Sequence, residues 1–468
     1  MNTIVKKLSF LLSLSLAAAS INAFAASMSF TQRKIAEPEQ QMPTVNPEIQ
    51  FAQELNSALS TGTVEDALAL FDTMPEQTEE LLTVKSALLL SAGHDKEAAS
   101  LAKDLLAQNP KDLDILQLNV MIAKKTGDSA KKTALLKQIL AIDPNNAGAN
   151  IELGDEQALK HRYTTARNYF QKALSSEPEN VEALFGYGKM SYYLEKDETA
   201  RKTFQKILTV NPNDASALAY LGKLEGENKR YRKALDYIDR AIAIDSTSTT
   251  YYLDQGTYRR FLGDYAGAEQ SWKQAVDNDP EYFLAYAYLA GLYDEQERID
   301  DALATYRKVV EKNPQYYYAY EAIGMFAWQR GNWAEARTAF EKALVKKPDS
   351  TSYALMVAAC YWKEKNIPQL TKHTEALLKK LDRNNIEYWV VRMFHDRGGD
   401  ADVINRINRE KIATTRNKML FYAAVFYELQ GNTSLAQKYY VEVANLQGAM
   451  FFEHRLAQWK AQLEVNAK

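Results

Sequence analysis

Apolar and polar positions recur along this chain every 34 residues, in a pattern typical of paired α-helices. Proline cannot continue a helix, and it also pushes the preceding residue out of the helical conformation. Each proline of the period therefore marks the end of the second helix of a pair, and we number every repeat so that it occupies position 32. Seven prolines keep this phase: Pro110, Pro144, Pro178, Pro212, Pro280, Pro314 and Pro348. Between Pro212 and Pro280 the same position is occupied by Ser246.

Small residues recur at two positions of this register and bulky apolar residues at a third. A glycine inside a helix costs about 1 kcal/mol relative to alanine, so its recurrence at one phase predicts that two helices cross closely there. Position 8 is glycine or alanine, at Gly154, Gly188, Gly222, Gly256, Ala290, Gly324 and Ala358. Position 20 is alanine, at Ala166, Ala200, Ala234, Ala268, Ala302 and Ala336. Position 24 is mostly aromatic, at Phe170, Phe204, Ile238, Trp272, Tyr306 and Phe340.

This pattern resembles the tetratricopeptide (TPR) repeat. The resemblance implies an all-α fold, a right-handed α-solenoid of about twelve helix-turn-helix repeats, and the binding of a protein or peptide. It covers residues 48–450, is regular over 79–350 and is degenerate over 351–416. In the poorest match, 385–416, Arg392 replaces the small residue of position 8. This stretch is either a degenerate repeat that still packs in the stack, or a bend or partner site.

Both ends of the chain differ from the array. Residues 1–25 have the pattern of a secretory signal peptide, with Lys6 and Lys7 before an apolar stretch over 8–19 and a cleavage site near Ala25. We therefore expect an exported protein, periplasmic or secreted, without a membrane-spanning segment in the mature chain. Residues 26–47 are rich in proline and glutamine, and we expect them to form a disordered leader.

The last residues, 451–468, are expected to form an amphipathic helix. Phe452, Leu456, Trp459 and Leu463 are spaced to lie on one face of it. A helix that directly follows the last repeat is expected to cover its exposed end, because solenoids need capping elements. The alternative is a helix that docks on a partner.

Charge, cysteine content and the absence of known motifs argue against several classes of function. The formal net charge of −3 leaves no basic excess to neutralise nucleic-acid phosphates. Cys360 is the only cysteine, so an internal disulfide is excluded. A buried, unreactive thiol is expected, and a mixed disulfide with a partner is the alternative. The five histidines form no metal-binding motif, and neither a nucleophile elbow nor a phosphate-binding glycine loop is present. We therefore predict a protein without catalytic activity, cofactor or metal.

The resemblance also implies where a partner would bind. In TPR proteins the first helix of each pair, helix A, lines the concave surface, and positions 2, 5, 9, 12 and 13 point into it. The face is expected to be aromatic, with a few cations and little negative charge, which suits a protein partner. The alternative is that some of these rings pack between repeats. The residues at these positions are Phe185, Lys189, Tyr192, Tyr193, Lys223, Arg260, Phe261, Tyr318, Met325, Trp328, Leu355 and Trp362.

The function predicted from these features is a non-catalytic scaffold of the cell envelope that holds partner segments along the helix-A face. A self-associating structural array, with the chain as a homo-oligomer, is the main alternative. An envelope enzyme is a remote third.

Overall fold

The computed structural model describes residues 47–73 and 77–465, and within them every regular element is helical. The predicted all-α solenoid fold is confirmed. The described residues divide between Leu224 and Glu225 into two compact units, unit 1 before this point and unit 2 after it. The predicted signal peptide and all but the last residue of the predicted leader lie outside the described residues. Pro47, the last residue of that leader, is the first residue of a helix.

Unit 1 is a succession of antiparallel helix pairs. Each helix A up to α9 packs against the helix B that follows it, and α4, α6 and α8 each pack against the next helix A. Its helices are α1 (Pro47–Thr61), α2 (Val64–Ala69) with a 3-10 turn (Leu70–Thr73), α3 (Glu79–Ser91), α4 (Asp95–Gln108), α5 (Leu113–Lys125), α6 (Ser129–Ile142), α7 (Ala147–Leu159), α8 (Tyr163–Ser176), α9 (Val181–Tyr193), α10 (Asp197–Val210) and α11 (Ala215–Glu227), which continues past Leu224.

Unit 2 repeats this arrangement and adds a final single helix. Its helices are α12 (Tyr231–Ile244), α13 (Thr249–Phe261), α14 (Tyr265–Asn278), α15 (Phe283–Glu295), α16 (Ile299–Lys312), α17 (Tyr317–Gln329), α18 (Trp333–Lys346), α19 (Thr351–Lys363), α20 (Ile367–Leu378), α21 (Ile386–Asp396), α22 (Asp400–Arg409), α23 (Ala413–Leu429), α24 (Thr433–Ala444) and α25 (Phe452–Val465).

The turn between helices A and B has the same backbone conformation in nearly every repeat. Position 15 has a positive φ whether it holds glycine, as at Gly263 (φ +83°), or another residue, as at Lys365 (φ +57°). In the degenerate stretch Gly399 keeps this position with φ +80°. The left-handed residue reverses the chain between the helices, and Asp or Asn at position 16, such as Asp264 and Asn366, then caps helix B through its side chain.

Inside each pair the ring at position 24 rests against the small residue at position 8. A Cβ atom added to Gly324 would lie 2.8 Å from Cζ of Phe340, and one added to Gly188 would lie 3.0 Å from Cζ of Phe204. Both rings are fully buried. The close approach explains why glycine recurs at a helix-interior position where it weakens the isolated helix.

The poorest-matching repeat, 385–416, forms a packed pair of helices in unit 2, α21 and α22. α21 and α22 contact each other, and both also contact α23. The apolar run of α21 supplies this contact, because Val390, Val391 and Phe394 are fully buried in the core that α19 and α23 share. The absence of a small residue at position 8 therefore does not prevent these helices from packing in the unit.

Candidate partner-binding faces

The twelve residues predicted to face a partner divide into three groups by exposure. Tyr193, Phe261 and Tyr318 are exposed. Six are half-buried: Phe185, Lys189, Tyr192, Lys223, Arg260 and Trp362. Met325, Trp328 and Leu355 are buried.

In unit 1, an aromatic cluster gathers at the C-terminal end of α9. The exposed ring of Tyr193 stacks on Tyr163, the first residue of α8, with centroids 5.0 Å apart. Tyr192 meets Tyr220 of α11 edge to face at 5.5 Å, and the Lys223 ammonium lies 5.5 Å from the Tyr220 ring centre. Rings held in place by other rings lose little conformational freedom on binding, which favours their use as anchors for a partner.

The same face of unit 1 carries more negative charge than the sequence analysis expected. Glu152 of α7 accepts hydrogen bonds from Lys124 at 2.6 Å and from Lys132 at 3.1 Å. One turn further along α7, Asp155 lies near Glu152 and Glu182. Burial of its carboxyl group, together with the charges of Glu182 and Glu152, raises the pKa of Asp155. The face is therefore aromatic beside α9 and acidic beside α7.

In unit 2, Phe261 repeats the position of Tyr193. It ends α13 and stacks nearly parallel on Tyr231, the first residue of α12, with centroids 4.6 Å apart. Next to it, Arg260 forms an ion pair of 2.6 Å with Glu295 at the end of α15. Tyr193 and Phe261 both occupy position 13, and Tyr163 and Tyr231 both occupy position 17 of the preceding repeat. The two units thus present an exposed ring on the same internal support.

Three of the predicted residues do not line an open surface in this structure. Trp328 packs edge to face on Trp333 at 4.8 Å, and Leu355 lies in the core built around α21 and α23. The half-buried Trp362 belongs to the same core, because its ring meets Phe426 at 5.6 Å. Residues after 385 contribute to the cores that cover Leu355 and Trp362, and such contacts do not follow from the period of the repeat.

Met325 is buried beside the C-terminal helix, α25, which lies on the helix-A side of unit 2. α25 packs on α23 and α24, and it also contacts α17. Its Trp459 ring approaches Phe326 at 5.9 Å, and its Arg455 forms a bidentate ion pair with Asp294 of α15. The predicted capping helix therefore reaches well beyond the last repeat.

A cleft of about 580 Å³ remains open along one side of α25. Tyr318, Glu321 and Met325 of α17 line one wall, and Phe451 and Arg455 line the other. Burial raises the pKa of Glu321, whose carboxylate accepts a hydrogen bond from the Tyr353 hydroxyl. The cleft combines aromatic, thioether and carboxylate groups, which are groups that can contact an apolar side chain and a cation.

Two residues of this region, Asp294 and Glu321, were missed by the sequence analysis. They occupy positions 12 and 5 of their repeats, which belong to the positions assigned to the concave face. From the sequence, little negative charge was expected on this face, and neither residue was named. Two features of the sequence could have pointed to them. One is that positions 5 and 12 belong to the concave face, and the other is that Arg455 lies one helical turn before Trp459, so that a cation and a ring share one face of the last helix.

Within residues 47–73 and 77–465, no group of three or more His, Cys, Asp or Glu side chains is placed to hold a metal ion. Cys360 is fully buried in α19, and this burial raises the pKa of its thiol. No helix in the described part of the chain combines the length and apolar character needed to cross a membrane.

Models of one repeat family match two parts of the chain. Models of the tetratricopeptide repeat match residues 158–224 and, in three overlapping segments, 253–317, 292–352 and 321–368. No curated protein sequence matches the chain.

Three solved structures similar to this chain are a tetratricopeptide repeat protein, MamA and YrrB. A tetratricopeptide repeat protein from Parabacteroides merdae is 20% identical, with 52% of this chain and 97% of that chain covered and a TM-score of 0.41. MamA is 24% identical over 34% of this chain and 94% of its own, with a TM-score of 0.31. YrrB, described as a TPR protein with an unusual peptide-binding site, is 19% identical over 40% of this chain and 96% of its own, with a TM-score of 0.33.

Proposed function

We propose that this chain, whose repeats match models of the tetratricopeptide repeat, is a non-catalytic scaffold of the cell envelope that binds segments of a partner protein along its helix-A faces. Proteins of this repeat family are interaction scaffolds, which supports the general function. The location in the envelope rests on the signal-peptide pattern of residues 1–25.

The observation that carries the proposal is the exposed ring that ends one helix A in each unit. Tyr193 is 44% exposed and Phe261 is 53% exposed, although each stacks on a tyrosine of the preceding helix B. A large ring that is fixed on one side and open on the other has the properties of a binding hot spot. Cationic side chains accompany both rings: Lys189 in unit 1 and Arg260 in unit 2.

Two substitutions test this role directly. The mature chain carrying Tyr193→Ala and Phe261→Ala should lose its crosslinked partner in a pull-down from the native envelope, whereas the wild-type chain retains it. Val345→Ala is the matched control, because Val345 is 73% exposed on a helix B and lies outside positions 13 and 17. Circular dichroism should show equal helical content in all three chains.

Two results would contradict the proposal. A partner that is retained by the Tyr193→Ala, Phe261→Ala chain would remove the helix-A faces as the binding site. Cell fractionation that leaves the chain in the cytoplasm with residues 1–25 still attached would remove the envelope location.

A further inference from the structure

The helix-A side of unit 2 is already occupied by a helix of the same chain. α25 places Phe452 against Phe340 and Tyr353, with centroids 5.8 Å apart in both pairs. Two turns further on, Trp459 contacts Phe326 of α17. The helix therefore lies across several helix-A elements, as an amphipathic helix does when it binds in a groove.

A charged contact fixes the direction of this helix. Arg455 Nη1 donates a hydrogen bond of 2.7 Å to Asp294 Oδ2, and Nη2 donates a second to Oδ1. The guanidinium also lies 4.6 Å from the Trp459 ring centre. A bidentate pair of this kind is specific for arginine, because lysine cannot match both carboxylate oxygens. Asp294 is thus a receptor for one arginine at a fixed place on the face.

Other features weaken the hold on α25. Glu453 is fully buried in the first turn of α25. Its Oε1 accepts hydrogen bonds from the Ser352 and Tyr422 hydroxyls, but its Oε2 has no hydrogen-bond partner among the described residues. A buried polar atom without a partner is unfavourable, so its exposure to water on release offsets part of the lost apolar contact. Met450, just before α25, is almost fully exposed, and the 580 Å³ cleft leaves Tyr318 accessible beside the helix.

We propose that unit 2 contains a helix-binding site on α15, α17 and α19, that α25 is its resident occupant, and that a partner helix displaces it. The proposal rests on the function proposed above and specifies one class of partner. That partner is an amphipathic helix that brings an arginine to Asp294 and an aromatic ring, one turn later, to Phe326. Charge complementarity selects it, because Asp294 and Glu321 make this part of the face acidic.

A labelled synthetic peptide with the sequence of residues 449–465 is the probe, titrated with the full mature chain in an anisotropy assay. The peptide should bind the Arg455→Ala, Trp459→Ala chain at least about tenfold more tightly than the wild-type chain, because the resident helix then competes less. Adding Asp294→Asn to that chain should return the affinity to the wild-type value or below. Gln462→Ala, an exposed position on the same helix, is the control and should behave as wild type.

Equal peptide affinity in the wild-type and the Arg455→Ala, Trp459→Ala chains would overturn the proposal. So would a dimer in light scattering that excess peptide does not dissociate, since the occupant would then be a second copy of the chain. If the variant does not fold, hydrogen exchange on the wild-type chain decides instead. Excess peptide should speed exchange of residues 452–465 but not of α23, and an unchanged rate contradicts displacement.

This experiment can fail separately from the test of the proposed function. Tyr193 is in unit 1 and Phe261 is on α13, so neither touches α25 in the contacts described above. Loss of the partner on changing these two rings, together with no effect of the peptide, would leave the scaffold function intact and remove only the displaceable helix.

Discussion

Trp272 lies so close to Gly256 that a Cβ atom added to the glycine would come within 2.3 Å of the indole Nε1. The same nitrogen donates a hydrogen bond of 3.1 Å to the carbonyl oxygen of Leu253, which fixes the ring in place. Gly256→Ala should therefore lower the free energy of unfolding by about 1–3 kcal/mol, as overpacking of a core does. The midpoint of urea unfolding, followed by circular dichroism, measures the change.

Gly291 provides the matched control for this substitution. It lies inside α15, and a Cβ atom added to it would meet no atom within 4 Å. Gly291→Ala should raise the free energy of unfolding by up to about 1 kcal/mol, because alanine is the better helix former. A Gly256→Ala chain that is as stable as the Gly291→Ala chain would show that the ring can move aside.

The helix pairing could be predicted from the sequence because it depends on contacts within one period. Gly256 and Trp272 are 16 residues apart and belong to the same repeat, so the register alone relates them. Arg455 and Asp294 are 161 residues apart, and no period relates them. The burial of Met325 and Leu355 depends on such distant contacts. The repeat pattern therefore assigned both residues to an open face that the later helices cover.

The turn at position 15 predicts opposite effects for two simple substitutions. Lys365 is exposed and has φ +57°, a conformation that costs a residue with a side chain about 1–2 kcal/mol. Lys365→Gly should therefore stabilise the chain by up to about 1 kcal/mol, since the greater freedom of glycine when unfolded cancels part of the gain. The melting temperature and the urea midpoint should both rise.

Gly263→Ala is the reverse experiment at the same position. Gly263 has φ +83°, and a Cβ atom would meet nothing within 4 Å, so only the backbone conformation opposes alanine. We expect a loss of about 1 kcal/mol in the free energy of unfolding. If both substitutions change stability in the same direction, the turn conformation is not the cause.

Glu453 predicts a fall in stability as pH rises from acidic to neutral. Burial raises the pKa of this carboxyl group above the usual value for glutamate, to which it returns in the unfolded chain. Tyr353 and Tyr422 face it, and the hydrogen bonds from Ser352 and Tyr422 and the charge of Lys418 oppose the rise only in part. Between the two pKa values the folded chain binds more protons than the unfolded chain, so the free energy of unfolding decreases as pH rises through that interval.

Glu453→Gln should flatten this part of the pH profile. The urea midpoint, followed by tryptophan fluorescence between about pH 4 and pH 7, measures the profile, and this range includes the usual glutamate pKa. Glu442→Gln, an exposed position on α24, should leave the profile as in the wild-type chain. An equal slope in the Glu453→Gln and wild-type chains would mean that other groups set the pH dependence.

The burial of Cys360 predicts that its thiol reacts only when unit 2 opens. Its side chain is fully buried among the apolar residues of α19, and this burial raises the pKa of the thiol, so the reactive thiolate is scarce in the folded chain. Ellman's reagent should detect almost no thiol in the native chain and one per chain in urea, because the sequence has a single cysteine. Rapid reaction at neutral pH without denaturant would show that the core around α19 and α23 opens readily. The Arg455→Ala, Trp459→Ala chain should react at the slow wild-type rate, since α19 remains covered by α21 and α23 when α25 is released.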